Sequence, residues 1–173
     1  MVNQAGATLD IQTDRSIQDG AAYYGGSSGV SPNSILNNGV ITKSAGISTA
    51  DISVPLTGAG DFDVQSGTLG LTQASSLSGD LSVSDAATLR FGSGYGGYGD
   101  GSDPVTVVAA SGSINGSGTL EFANGSSRID GNVDIATIET NQEAIVQLQG
   151  SVGTDRLDAV SYTHLTLPTI LLV

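Results

Sequence analysis

An all-β, parallel β-solenoid is the fold that the sequence predicts. Three observations lead there: tandem near-copies of one short strand pair, alternation of apolar and polar residues within each copy, and small turn-forming residues at the breaks. The clearest copies are "DFDVQSGTLGL" (61–71) and "DLSVSDAATLRF" (80–91). Side chains alternate across a strand, so Phe62 and Val64 face one way and Asp61 and Asp63 the other. Leu81 and Val83 repeat the apolar positions, and after a small-residue corner Leu69 and Leu71 answer to Leu89 and Phe91. No stretch shows a capped period of 3.6, which leaves strands as the regular element.

Taken in order, the further strand segments are "ATLDI" (7–11), "NGVITKS" (38–44), "ADISVPL" (50–56), "DPVTVVAA" (103–110), "GTLEF" (118–122), "SRIDGNVDIATIET" (127–140) and "AIVQLQG" (144–150). Gly, Asn and Asp punctuate them, the residues that supply positive φ at tight corners. Thr8, Thr68, Thr88 and Thr119 head four similar motifs at steps of 60, 20 and 31 residues, which predicts a coil of 20 residues with one insertion. A unit with one narrow apolar face and no helix to cover it buries that face by stacking on its neighbours, with strands about 4.8 Å apart. Some 150 residues at about 20 per coil predict about seven coils and a rod near 35 Å long. An antiparallel sandwich spaces its strands similarly and is the alternative architecture.

Composition narrows the function classes. The chain has no cysteine, so neither a disulfide framework nor a thiolate metal site is available. Its formal charge is −12, carried by scattered single acids, a surface that repels nucleic acid and anionic lipid. The start, "MVNQAGATLD", has neither the basic n-region nor the apolar h-region of a secretion signal.

Residues 159–173 differ in composition from everything before them. The uninterrupted apolar run 170–173 is far short of the about 20 residues a membrane span needs. "LPT" (167–169) lacks the spacing and the glycine of a sortase signal, and His164, the single histidine, has no partner nearby for catalysis or metal binding. Residues 160–169 resemble, codon by codon, the translation of a transposase-type adapter used in preparing DNA libraries, and Ala159 fits the adapter's preceding bases. The expectation is a β-solenoid fragment over 1–158 followed by a non-native tail over 159–173, excluded from fold reasoning.

The stretch 54–91, "VPLTGAGDFDVQSGTLGLTQASSLSGDLSVSDAATLRF", resembles the repeats of large bacterial surface and secreted β-helix proteins, of the autotransporter-passenger and haemagglutinin-like adhesin type. "NNGVITKSAG" (37–46) and "GSINGSGTLEFANG" (112–125) extend the likeness. The resemblance implies an extracellular or cell-surface rod whose neighbouring coils belong to a longer protein, with glycans or surface partners as its contacts. It carries over no catalytic residue and no cofactor.

The most unusual stretch is "GSGYGGYGDGSDP" (92–104), which follows one strand and precedes another and so is expected to leave the rod as a loop. Tyr95 and Tyr98 offer planar faces to a sugar ring, and Asp100 with Asp103 can accept its hydroxyl hydrogen bonds. The same aspartates are the oxygen donors a Ca²⁺ site would use, but the glycine-aspartate spacing is one residue short of the calcium-binding repeat, and no metal is assigned. Asp61, Asp63, Asp80 and Asp85 suggest the alternative function, a polysaccharide lyase or glycoside hydrolase, since paired carboxylates on adjacent coils reach the separations that glycosidases use. Only Arg90 stands near them in sequence, and a solvated acidic face is the plainer reading. Asn37, Asn38, Asn115, Asn124 and Asn132 suit either turns or hydrogen-bonded ladders inside a corner. If the adapter reading is correct, sequencing the source DNA will give a reading frame that leaves this sequence at or just before Ala159 and continues with repeats. A continuous native gene encoding "SYTHLTLPT" overturns it.

Overall fold

The structure is a computed structural model; it describes residues 1–18, 33–92, 105–159 and 164–166. It is a parallel β-solenoid of about six turns with coils about 20 residues apart, and no helix occurs among the described residues. Each coil contributes strands to three faces. The first coil holds β1 (Val2–Asn3), β2 (Thr8–Asp10) and β3 (Ile17–Gln18). The second holds β4 (Ile35–Asn37), β5 (Val40–Lys43) and β6 (Thr49–Ser53), the third β7 (Leu56–Gly58), β8 (Asp61–Val64) and β9 (Thr68–Leu71). The fourth holds β10 (Ser75–Leu77), β11 (Asp80–Val83) and β12 (Thr88–Phe91). Beyond β13 (Val105–Val108) the strands β14 (Ser113–Ile129) and β15 (Asn132–Leu148) run on around corners, with register shifts at Gly116/Thr119 and Phe122/Asn124 marking the bends. β16 (Val152–Gly153), β17 (Arg156–Ala159) and β18 (His164–Thr166) lie on β15.

The register bears out the alternation read from the sequence. Leu81 and Val83 stack on Phe62 and Val64, and Leu89 and Phe91 on Leu69 and Leu71, all buried. Above Phe91 stands Phe122, edge to face at a ring separation of 5.7 Å. The interior is narrow, and large side chains on one face coincide with small ones on another. The coil of Phe91 carries buried Ser75 on its first face, and that of Phe122 carries buried Thr106.

One corner decides how closely the coils approach. Gly39, Gly60, Gly79, Gly112 and Gly131 each stand just before the second-face strand of their coil, with Gly150 two residues before β16, and each sits over a carbonyl of the coil before. A Cβ would fall 2.3 Å from the Gly39 oxygen at Gly60, 2.4 Å from the Gly60 oxygen at Gly79 and 2.0 Å from the Gly112 oxygen at Gly131. These glycines are needed for room, not for a positive φ. Positive φ is used at the next corner, by Gly46 and Gly67 and then by Ala86 at 60°, the one such non-glycine residue described.

Two expectations need correction. "ATLDI" is not a member of the threonine series, because Thr8 pairs with Val40 on the second face, whereas Thr68, Thr88 and Thr119 stack on the third. The missing members are Thr49 and Thr137, which complete an outward rank of five threonines in register. An alternating motif of five residues fits any face, and only the corner spacing tells which. The count of about seven coils was also too high. Stacked partners are usually 19 or 20 residues apart, but Asn3 and Asn37 are 34 apart and Ser78 and Ser111 33, so two coils take up extra chain.

Of the asparagines, Asn37 is buried in a ladder, accepting a 2.8 Å bond from Asn3 Nδ2 and donating to the Asp61 carbonyl. Asn124 is buried, whereas Asn115 and Asn132 bond along the outer surface. The segment His164–Thr166 lies parallel on Ile145–Gln147. A sheet edge is a row of backbone groups and pairs with any extended segment that reaches it, so this pairing does not depend on a native origin for the tail.

Four substitutions test this arrangement through denaturant unfolding. Gly79→Ala should cost about 3 kcal/mol, because backbone stands where its methyl must go. Ala86→Gly should be neutral or stabilise by about 1 kcal/mol, since a left-handed conformation strains any residue with a Cβ. Val83→Asp should cost several kcal/mol by burying an unpaired carboxylate, and Ser76→Asp, on an exposed position, about 0.5 kcal/mol or less.

Candidate functional site

The corner between the third face and the next first face is the place to look for a site. Chain leaves it twice: 19–32 lies between β3 and β4, and 93–104 between β12 and β13. Tyr95, Tyr98, Asp100 and Asp103 fall in 93–104, outside the described residues. Their stems are described. Gly92, at φ 89°, turns the chain where a Cβ would lie 2.3 Å from Asn124 Oδ1, and Val105 begins the strand on the other side. Sequence reasoning passed over the second insertion, although 19–32 holds Tyr23 and Tyr24 among Gly, Ala and Ser much as 93–104 holds its tyrosines.

Beside the Val105 stem, the outer side of the first face forms a shallow depression of ≈ 190 Å³. Val105, Val107 and Ile145 give it apolar walls, with Ser126, Arg128 and Gln147 between them. Val105 is 48% and Ile145 46% exposed, whereas most apolar strand residues are buried. They stack because outward positions repeat from coil to coil: Val105 on Ser126 on Ile145, and Val107 on Arg128 on Gln147. The Arg128 guanidinium is tethered by Asp130 at 3.1 Å and remains half exposed. An apolar patch edged by a guanidinium and an amide can hold an amphipathic ligand and hydrogen-bond its polar edge.

The structure splits the four aspartates that the sequence grouped. Asp61 and Asp80 are neighbours on adjacent coils of the second face, and Asp63 lies beside them. Asp85 is in the following corner, exposed next to Ala86. The carboxylates are engaged in bonds between coils: Asp61 Oδ1 accepts from the Asp80 amide at 2.9 Å, Asp80 Oδ1 from Ser113 Oγ at 2.8 Å, and Asp63 from Gln65 and Ser82. Asp10 repeats the Asp63 arrangement lower on the same face, where Ser44 and Gln12 hold its carboxyl below the ordinary carboxylate range. A depressed folded-state value means that its contribution to stability is present above the unfolded value of 3.8 and is lost as pH falls through the lowered one.

Arg90 does not join those aspartates. It lies on the third face and reaches across Gly70 to Asp51, two coils away, with Nη2 2.8 Å from Oδ1. Its Nε is buried without a hydrogen-bond partner. Gly70 makes the reach possible, since a Cβ there would lie 2.1 Å from Asp51 Oδ1 and 3.1 Å from Arg90 Nη2. Nothing in the sequence pairs residues 39 apart; the signal was a glycine at a position where neighbouring coils carry charged residues. Among the described residues no three His, Cys, Asp or Glu side chains are grouped to hold a metal ion, and no helix is long and apolar enough to cross a membrane.

Comparison of the chain with protein-family models, curated proteins and solved structures returned no match. The site therefore has to be read from its own chemistry. A double-mutant cycle checks the Arg90 bridge. Gly70→Ala alone should cost about 1–2 kcal/mol in chemical unfolding, and in an Asp51→Ala background, where the crowded oxygen is gone, it should cost close to nothing.

Proposed function

We propose that this chain is a stiff rod segment of a bacterial cell-surface or secreted protein, displaying loops for contact with glycans or surface partners. The observation that supports this reading best is the repeated use of one corner. Both long insertions depart between the third and first faces, while the three parallel ladders continue above and below them. A solenoid tolerates insertions at corners because each coil's burial depends on its neighbours' strands and not on the length of the connection. A regular backbone with tyrosine-bearing insertions separates a mechanical role from a recognition role. The exposed Val105, Val107 and Ile145 patch at the stem of 93–104 extends the surface available to a partner.

The competing reading is a carbohydrate-active β-helix enzyme. What favours it is the placement of Asp61 and Asp80 on adjacent coils of one face. Catalysis would require those carboxylates to serve both the ladder and a substrate.

A glycan array on the full chain, followed by a hydrolase and lyase screen on whatever binds, separates the two. The rod reading expects binding without turnover, with at least tenfold weaker binding when 93–104 is replaced by a short Gly-Ser link. Turnover that disappears in Asp80→Asn supports the enzyme instead.

A further inference from the structure

Lys43 is the chain's single lysine, and it points inward. It occupies a second-face column that continues upward through Val64, Val83, Gly116 and Ile135, and its side chain is 0% exposed. A lysine almost never occupies such a place unless it has a partner. Its partner comes from the coil below: Nζ lies 3.2 Å from Asp14 Oδ1. The surroundings orient both groups. Nζ donates to the Ala45 carbonyl at 2.7 Å, and the Ser48 amide donates to the same Asp14 oxygen at 3.2 Å. Gly46 closes over the pair, where a Cβ would lie 2.1 Å from Asp14 Oδ1 and 2.9 Å from Lys43 Nζ.

We propose that Lys43 and Asp14 condense to an isopeptide bond that ties the first coil covalently to the second. A proton passes from the ammonium to the carboxylate across the contact, and the freed Nζ lone pair attacks Cγ, forming the Nζ–Cγ bond. The Ser48 amide donates to Asp14 Oδ1, the oxygen that takes the proton, and so holds that side of the carboxyl against Nζ. One Cγ–O bond then breaks, and that oxygen leaves as water with two of the three Nζ protons. Nothing is oxidised or reduced. One positive and one negative charge disappear together, so the formal charge of −12 is unchanged.

Two physical terms favour the step. Holding amine and carboxyl in contact makes the encounter intramolecular, which raises the effective concentration by orders of magnitude. Replacing the ion pair with a neutral amide removes the cost of keeping a charge on the fully buried Lys43, whose partner Asp14 lies 36% exposed at the surface end of the contact.

The test is the intact mass of the folded full chain, followed by tryptic mapping. Condensation makes the protein lighter by one water. It also leaves peptide 1–15 joined through Lys43 to a peptide running from residue 16 to Arg90, because an acylated Lys43 is not cleaved. Lys43→Met and Asp14→Ala should each restore the mass calculated from sequence and release peptide 1–15. A parent protein of full calculated mass with peptide 1–15 free means that the pair is an ordinary ion pair, and the proposal fails. A deficit of one water that survives in Asp14→Ala overturns it as well, since that water came from another site. The parent's mass decides the matter even if either variant does not fold.

Discussion

The approach of one coil's backbone to the next at the glycine corner is the constraint on which the rest of the solenoid depends. At Gly60, Gly79 and Gly131 a carbonyl of the preceding coil occupies the space a Cβ would need. Ladder hydrogen bonds require strands about 4.8 Å apart on all three faces at once. A methyl at the corner would hold the coils apart there and stretch the ladders on both adjoining faces. The glycine position therefore sets the phase of each coil, and from it follow the strand that begins on the next residue and the facing of every side chain along that strand.

Once the phase is set, each sequence position belongs to a column, and the columns differ in what they tolerate. Inward columns take Leu, Ile, Val and Phe, with Ser75 and Thr106 where a phenylalanine elsewhere in the coil fills the space. They also accept polar groups that satisfy themselves within the column or corner, as the Asn3–Asn37 ladder and Lys43 with Asp14 do. Outward columns carry the charge. Their aspartates bond upward to amides and hydroxyls, and their threonines stack in register, an arrangement that suits β-branched side chains. A rod with its acidic side chains occupied in this way has its free chemistry at the corners and at the exposed Val105–Ile145 patch, which is why the proposed contacts fall there.

Legibility varied with the range of the interaction concerned. The facing of Phe62, Val64, Leu81 and Val83 was legible because alternation is a property of adjacent residues. The tandem pairing of 61–71 with 80–91 was legible because its two members are one coil apart. "ATLDI" was assigned to the wrong face because the extra chain of the first long coil hides the local phase. The Arg90–Asp51 bridge was invisible because it spans two coils, and Asp85 was grouped with Asp61 and Asp80 because sequence proximity does not reveal that a corner intervenes.

By itself, the sequence determined an all-β chain of short alternating strands, stacked in parallel because no unit has the means to bury its own apolar face. It also determined an acidic surface and a glycine- and tyrosine-rich insertion at 93–104. Only the tertiary structure decided which strands share a face, that the column of glycines marks close backbone approach, and that 19–32 and 93–104 leave by the same corner. Only it placed the single lysine inside the core, with its head against the partly exposed Asp14. The reason is physical: strand alternation is local and written in neighbouring residues, whereas column membership depends on the summed length of every coil below.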